Sequence, residues 1–154
     1  MTVKVLFVCL GNICRSPMAE GLMRQYADRH GLELLVDSAA TSRWEVGNPP
    51  HLGTQKVLRE AGVDFSQMRG RQITSTDFYN FDFIIAMDHD NLEDLKALAP
   101  TDAKAVITTY MSVVPKMQTQ PIPDPWYTGD FEETHRLIEA GLPFWVKRFQ
   151  KAAK

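Results

Sequence analysis

Two cysteines in 154 residues are too few for a disulfide framework, so a reducing, cytoplasmic compartment is expected. Charge of one sign is also missing: 17 Lys and Arg against 19 Asp and Glu leave a net charge of −2. The basic residues fall in pairs or spaced triplets and read as solvated surface, so neither nucleic acid nor a membrane is an expected partner. No apolar stretch reaches the ~18 residues of a membrane span. The start, MTVKVLFVCLGN, follows its short apolar run with a polar loop in place of an A-x-A cleavage site, which argues against a secretory signal. Repeats, low-complexity tracts and linkers are absent too. One domain over residues 1–154, with one substantial core, is the expectation.

What is present alternates between two periods. Val3 to Cys9 is nearly continuously apolar and β-branched, the pattern of a buried parallel strand. Ser16-Pro17 then opens a helix, carried by Met18, Leu22, Met23 and Tyr26 and ended by Gly31. Leu32 to Ala40 reads as a second strand, Leu52 to Ala61 as a helix, Asp82 to Met87 as a short buried strand and Leu92 to Leu98 as a helix. Lys104 to Tyr110 is the fourth strand. Asp130 and Glu133 form a capping-box-like start for a last helix with Ile138, Leu142, Trp145 and Phe149 on one side, which Pro143 should kink or divide. Strands alternating with helices imply an α/β protein with a mainly parallel sheet covered on both faces. Ligands in such sheets bind beyond the carboxyl ends of the strands.

At that end of the first strand lies CLGNICRSP, residues 9 to 17, with both cysteines. Cys9 and Arg15 stand in a Cys-x5-Arg arrangement. A loop of this length before a helix can turn its amides inward around an anion: Gly11 eases unusual backbone angles and Asn12 tolerates left-handed ones. Such a nest, backed by the positive end of a helix dipole, holds phosphate, and Arg15 adds a fork for two of its oxygens. The same field favours Cys9 as a thiolate. Ser16 either donates to that thiolate or caps the helix, and both uses fit.

A thiolate attacking phosphorus needs a proton for a poor leaving group. PIPDPWY offers Asp124 among prolines that favour an extended, stiff loop, followed by Trp126 and Tyr127, which can wall a slot for a phenyl ring.

CLGNICRSP near one end and DPWY near the other, with DSAATSRWEVG, RQIT, FDFIIAMD and NLEDL between, resemble the low-molecular-weight protein tyrosine phosphatases over essentially the whole chain. The resemblance implies a three-layer α/β sandwich, its four-stranded parallel sheet in the order 2-1-3-4, and a two-step hydrolysis without metal or cofactor. Cys9 would carry a phosphocysteine intermediate. The amides of Leu10, Gly11, Asn12, Ile13 and Cys14, with Arg15, would hold the phosphoryl group. Asp124 would act as general acid and then base. Asn12 would maintain the loop and Ser16 the thiolate, while Trp44, Trp126 and Tyr127 would flank the substrate ring. Cys14 would be a redox partner for Cys9; alternatively it simply fills the underside of the loop. Relatives often carry a histidine shortly before the RQIT-like stretch, bonding the loop asparagine; Met68 stands there, so support for Asn12 must come from elsewhere. Trp126 stands where many relatives have tyrosine. Implied partners are phosphotyrosine-containing proteins and phosphate or other oxyanions.

Three rival functions share parts of this pattern. Arsenate reductases of this fold need resolving cysteines downstream, and none follows Cys14. Related bacterial protein-arginine phosphatases carry threonine where Ile13 stands, and an apolar residue favours an aryl phosphate. A non-catalytic phosphate-binding module would not need Asp124. Zinc is not expected, because one C-x4-C pair has no second pair and His30, His51, His89 and His135 are scattered. Asp88 and Asp90 read as helix caps, with Asp88 and Arg71 as a candidate scaffold pair.

Overall fold

A computed structural model describes residues 1–154. Its strands are β1 (Val3–Cys9), β2 (Leu34–Ala40), β3 (Phe83–Ala86) and β4 (Val106–Thr109), all parallel, in the order β2-β1-β3-β4. The helices are α1 (Arg15–Arg29), α2 (Leu52–Glu60), α3 (Asp77–Asn80), α4 (His89–Leu98), α5 (Pro125–Thr128) and α6 (Phe131–Ala152), with a 3₁₀ turn at Tyr110–Val113.

β1 is apolar throughout because both its faces are covered. Val3, Val5, Phe7 and Cys9 point into the larger core with α1, α2 and α6. Leu6 and Val8 point into a smaller one with Phe78, Phe81, Ile84 and Leu95. This two-residue alternation places α1, α2 and α6 on one side of the sheet and α3 and α4 on the other. Cys9 pairs with Ala40, and Ala86 with Thr109, so the carboxyl ends of the strands lie side by side.

Several expectations are corrected. β2 begins at Leu34, because Gly31 at φ +66° turns the chain and Leu32 N closes back onto Ala27 O at 2.9 Å. α1 starts at Arg15 with no side-chain cap, so Ser16 is free of that duty. α4 starts three residues earlier than its apolar pattern, because Asp88 caps it by accepting from Asn91 N at 2.8 Å. The PIPDPWY stretch is not wholly extended: Asp124 accepts from Trp126 N, and Pro125 opens the helical turn α5. A proline in the first turn loses no hydrogen bond.

α6 is continuous through Pro143. The proline leaves the Glu139 carbonyl without its usual donor, but Glu139 is on the exposed side, where water can replace it. That defect costs about 3 kcal/mol. Burial of Ile138, Leu142, Trp145 and Phe149, at roughly 1.5–3 kcal/mol for each large apolar side chain, outweighs it. Trp145 Nε1 donates to Tyr110 O at 2.8 Å and Tyr110 Oη to Ile138 O at 2.6 Å, which fixes α6 over the sheet.

Candidate active site

Residues 10–14 curl between the end of β1 and the start of α1. Asn12 takes the left-handed conformation at φ +61°, accessible to asparagine at little cost, and this closes the curl. Its amide donates to Cys9 Sγ at 3.3 Å, while the amides of Leu10, Gly11, Ile13 and Cys14 have no protein acceptor. From outside, His51 N bonds Ile13 O at 2.8 Å, Thr54 Oγ1 bonds Cys14 O at 2.9 Å and Ser42 Oγ bonds Leu10 O at 2.7 Å. The loop is thus held by its carbonyls, and its amides stay available.

The Asn12 side chain is satisfied at both of its polar atoms. Its Nδ2 donates to Ser16 Oγ at 2.8 Å and Ser38 Oγ at 2.9 Å, and its Oδ1 accepts from Arg71 N at 3.0 Å. These partners supply what Met68 cannot. Ser16 Oγ lies 3.1 Å from Cys9 Sγ. With Asn12 donating into its oxygen, its one proton is directed to the sulfur.

Arg15 is almost wholly buried. Its Nη1 donates to Asp88 Oδ2 at 2.6 Å and Ile122 O at 2.9 Å, and Nη2 reaches Asp124 Oδ2 at 3.4 Å. Its Nε, equally buried, has no protein partner. Burial works against the guanidinium charge, but Cys9, Asp88 and Asp124 together raise its pKa above the ordinary value. The expected Asp88–Arg71 pair is not formed. Asp88 serves Arg15, and Arg71 instead bridges Asp77 at 2.9 Å and Asp37 at 3.1 Å. Both cysteines are free and buried. Burial first, then the charges of Cys9 and Asp124, push the Cys14 thiol from 9.0 up to about 12, so it stays protonated.

Above the loop opens a cleft of about 120 Å³, lined by Cys9, Leu10, Gly11, Ile13, Cys14, Trp44, Glu45, Asp124, Trp126 and Tyr127. Trp44 and Tyr127 are each 74% exposed, whereas Cys9 at the floor is 3% exposed. A group reaching the sulfur must therefore pass between aromatic walls. The turn bearing Trp44 is clamped by Gly47 N to Gly70 O and Gly70 N to Asn48 O, both 2.8 Å. A Cβ at Gly70 would overlap the Glu45 carbonyl, so only glycine permits this approach.

Of the residues singled out in the sequence, Cys9, Trp44, Asp124, Trp126 and Tyr127 thus line one cleft, while Asn12 and Ser16 are buried against Cys9 and Arg15 against Asp124. Those missed are Asp88 as the partner of Arg15, Ser38 and Arg71 as supports of Asn12, and Glu45 on the rim. Only strand register brings Ser38, paired with Phe7, beside the loop.

An amide-lined loop between a buried cysteine and a buried arginine, at the carboxyl end of a central parallel strand, defines an α/β protein with a cysteine-centred oxyanion site. A family model, Low molecular weight phosphotyrosine protein phosphatase, matches residues 4–154, and the chain belongs to that family. It is 44% identical over 151 residues to the low molecular weight protein-tyrosine-phosphatase YfkJ of Bacillus subtilis, covering 97% of each chain. It is 41% identical over 137 residues to PtpA of Staphylococcus aureus strain MRSA252, covering 88% of this chain and 86% of that one. The crystal structure of YfkJ matches with a TM-score of 0.94 at 43% identity, over 100% of this chain and 98% of that one.

Proposed function

We propose that this protein hydrolyses phosphotyrosine in proteins, and small aryl phosphates, through a phosphocysteine intermediate on Cys9. The observation that carries the reading is the placement of Cys9 and Arg15 at the two ends of one amide-lined loop, with Asp124 3.4 Å from the guanidinium. Cys9 Sγ attacks phosphorus, the bond from phosphorus to the tyrosine oxygen breaks, and Asp124 gives its proton to the departing phenolate. Loop amides and Arg15 hold the three equatorial oxygens. Water then attacks phosphorus, Asp124 takes up its proton, and the sulfur leaves as a thiolate that receives the Ser16 hydrogen bond. The chain's own side chains and loop amides supply each step, without metal or cofactor. The depth of Cys9 below Trp44, Trp126 and Tyr127 supports an aryl ester over a shorter alkyl one. Ile13, an apolar wall of the cleft, supports phenyl over guanidinium.

No helix is long and apolar enough to cross a membrane. Two free cysteines suit a cytoplasmic setting. The test compares phosphotyrosine, phosphoserine and phosphoarginine peptides, with arsenate reduction as a control. Phosphotyrosine should be turned over fastest, and preference for phosphoarginine or reduction of arsenate would overturn the assignment. Cys9→Ser should abolish turnover while inorganic phosphate still binds.

A further inference from the structure

Behind the loop, a second hydrogen-bond path runs outward from Asn12. Ser38 Oγ accepts from Asn12 Nδ2 at 2.9 Å and donates to Glu20 Oε1 at 2.6 Å. Glu20 is 6% exposed, and its other oxygen accepts from Arg24 Nη2 at 2.6 Å. The same Arg24 nitrogen donates to Val36 O at 2.7 Å, which ties α1 to β2. Arg24 itself is half exposed, on the outer rim of a polar cavity of about 270 Å³. The other charged groups on that cavity, Asp37, Asp64 and Arg69, make no bond to Glu20, and Asp37 is taken up by Arg71. Arg24 is therefore the one cation bonded to this buried carboxylate.

We propose that Arg24 is a positioning residue for the catalytic loop, acting through Glu20 and Ser38 on Asn12 and so on the proton that Ser16 offers to Cys9. An ionised carboxylate only accepts, so Ser38 must turn its single proton toward Glu20 and leave its lone pairs to Asn12. Asn12 is then gripped from two sides in the same sense, its Oδ1 by the Arg71 amide and its Nδ2 by Ser38. This keeps its second Nδ2 hydrogen on Ser16. Arg24 pairs the Glu20 carboxylate and fixes its orientation in a nearly dry site, where an unpaired charge is costly. The two legs diverge at Asn12, which donates to Ser38 and to Ser16, so the coupling is one of orientation: loosening Ser38 frees the amide to turn away from Ser16.

The inference rests on the phosphatase reading, but its first readout needs no substrate. Alkylation of Cys9 by iodoacetamide near pH 6 reports the thiolate, since Cys14 stays protonated there. Arg24→Gln should slow alkylation and lower kcat, each by about fivefold, the scale of one weakened charge-assisted hydrogen bond. Inhibition by inorganic phosphate should stay within about twofold, because its ligands are untouched. Arg24→Lys keeps one charged nitrogen and should restore both rates. In a Ser38→Ala background, where the path is cut, Arg24→Gln should have no further effect. Equal loss in both backgrounds, failure of lysine to rescue, or lowered stability with unchanged alkylation and kcat would each overturn the proposal. A wild-type protein that alkylates as described yet leaves phosphotyrosine intact would count against the phosphatase reading alone.

Discussion

Arg15 Nη1 lies 2.6 Å from Asp88 Oδ2, and the other oxygen of that carboxylate accepts the Asn91 amide at the start of α4 at 2.8 Å. One side chain thus orients the Arg15 guanidinium and caps a helix, and two substitutions separate these duties. Asp88→Asn keeps a good cap but loses the charge. Asp88→Ala loses both. Both variants should weaken inhibition by inorganic phosphate, by roughly tenfold, because an unoriented guanidinium no longer presents its fork. In urea unfolding Asp88→Ala should be less stable than Asp88→Asn by about 1 kcal/mol, the worth of a cap. Equal stability of the two would show that the cap contributes nothing.

Asp124 also has two duties, since Oδ1 accepts from Trp126 N at 3.1 Å while Oδ2 faces Arg15. Asp124→Asn preserves the turn of α5 and removes the acid. Turnover of a phenyl phosphate should fall by roughly 10² to 10⁴, the usual scale for a general acid. Formation of the phosphocysteine from 4-nitrophenyl phosphate, read from the burst, should fall far less, because its leaving group needs little protonation. A loss independent of leaving group would remove Asp124 from the acid role.

The strands were legible because burial on both faces makes β1 apolar almost residue by residue and the turns between elements carry Gly or Pro. The Cys9–Arg15 loop was legible because its chemistry is compressed into seven consecutive residues. What the sequence concealed depends on distance along the chain. Nothing near Asp88 marks it as the partner of Arg15, 73 residues earlier, because only the packing of β1 against β3 makes the pair. α5 was missed for another reason. Prolines argue against regular structure by count, yet Pro125 sits in the first helical turn, where its missing amide costs nothing. Asp88 was legible as a cap, yet the start of α4 was placed late because the apolar pattern begins only at Leu92, three residues inside the helix.

The aromatic rim depends on a glycine remote from it in sequence. Gly70 packs against the Glu45 carbonyl so closely that a methyl group has no room. Gly70→Ala should push away the turn bearing Trp44. It should cost about 1–3 kcal/mol in stability, as overpacking does. KM for a phosphotyrosine peptide should rise by roughly tenfold, the worth of one aromatic contact, with kcat nearly unchanged. Inorganic phosphate, too small to touch the rim, should inhibit as before. A fall in kcat with constant KM would mean that Gly70 acts on the loop chemistry and not on the slot.

Cys14 gives a prediction in the alkaline range. Its folded-state pKa is raised from 9.0 to about 12, chiefly by burial. As pH rises past 9, the unfolded chain gives up this proton while the folded chain keeps it. The folded state then binds more protons, so stability must fall with increasing pH, by at most about 1.4 kcal/mol per unit from this group. Below the unfolded value the contribution is intact. Cys14→Ala removes the group from both states, and every other titration cancels in the comparison. Urea unfolding between about pH 8 and 10 should show wild-type stability declining more steeply than that of the variant. Parallel declines would mean that the Cys14 thiol ionises as readily in the folded protein as in the unfolded chain.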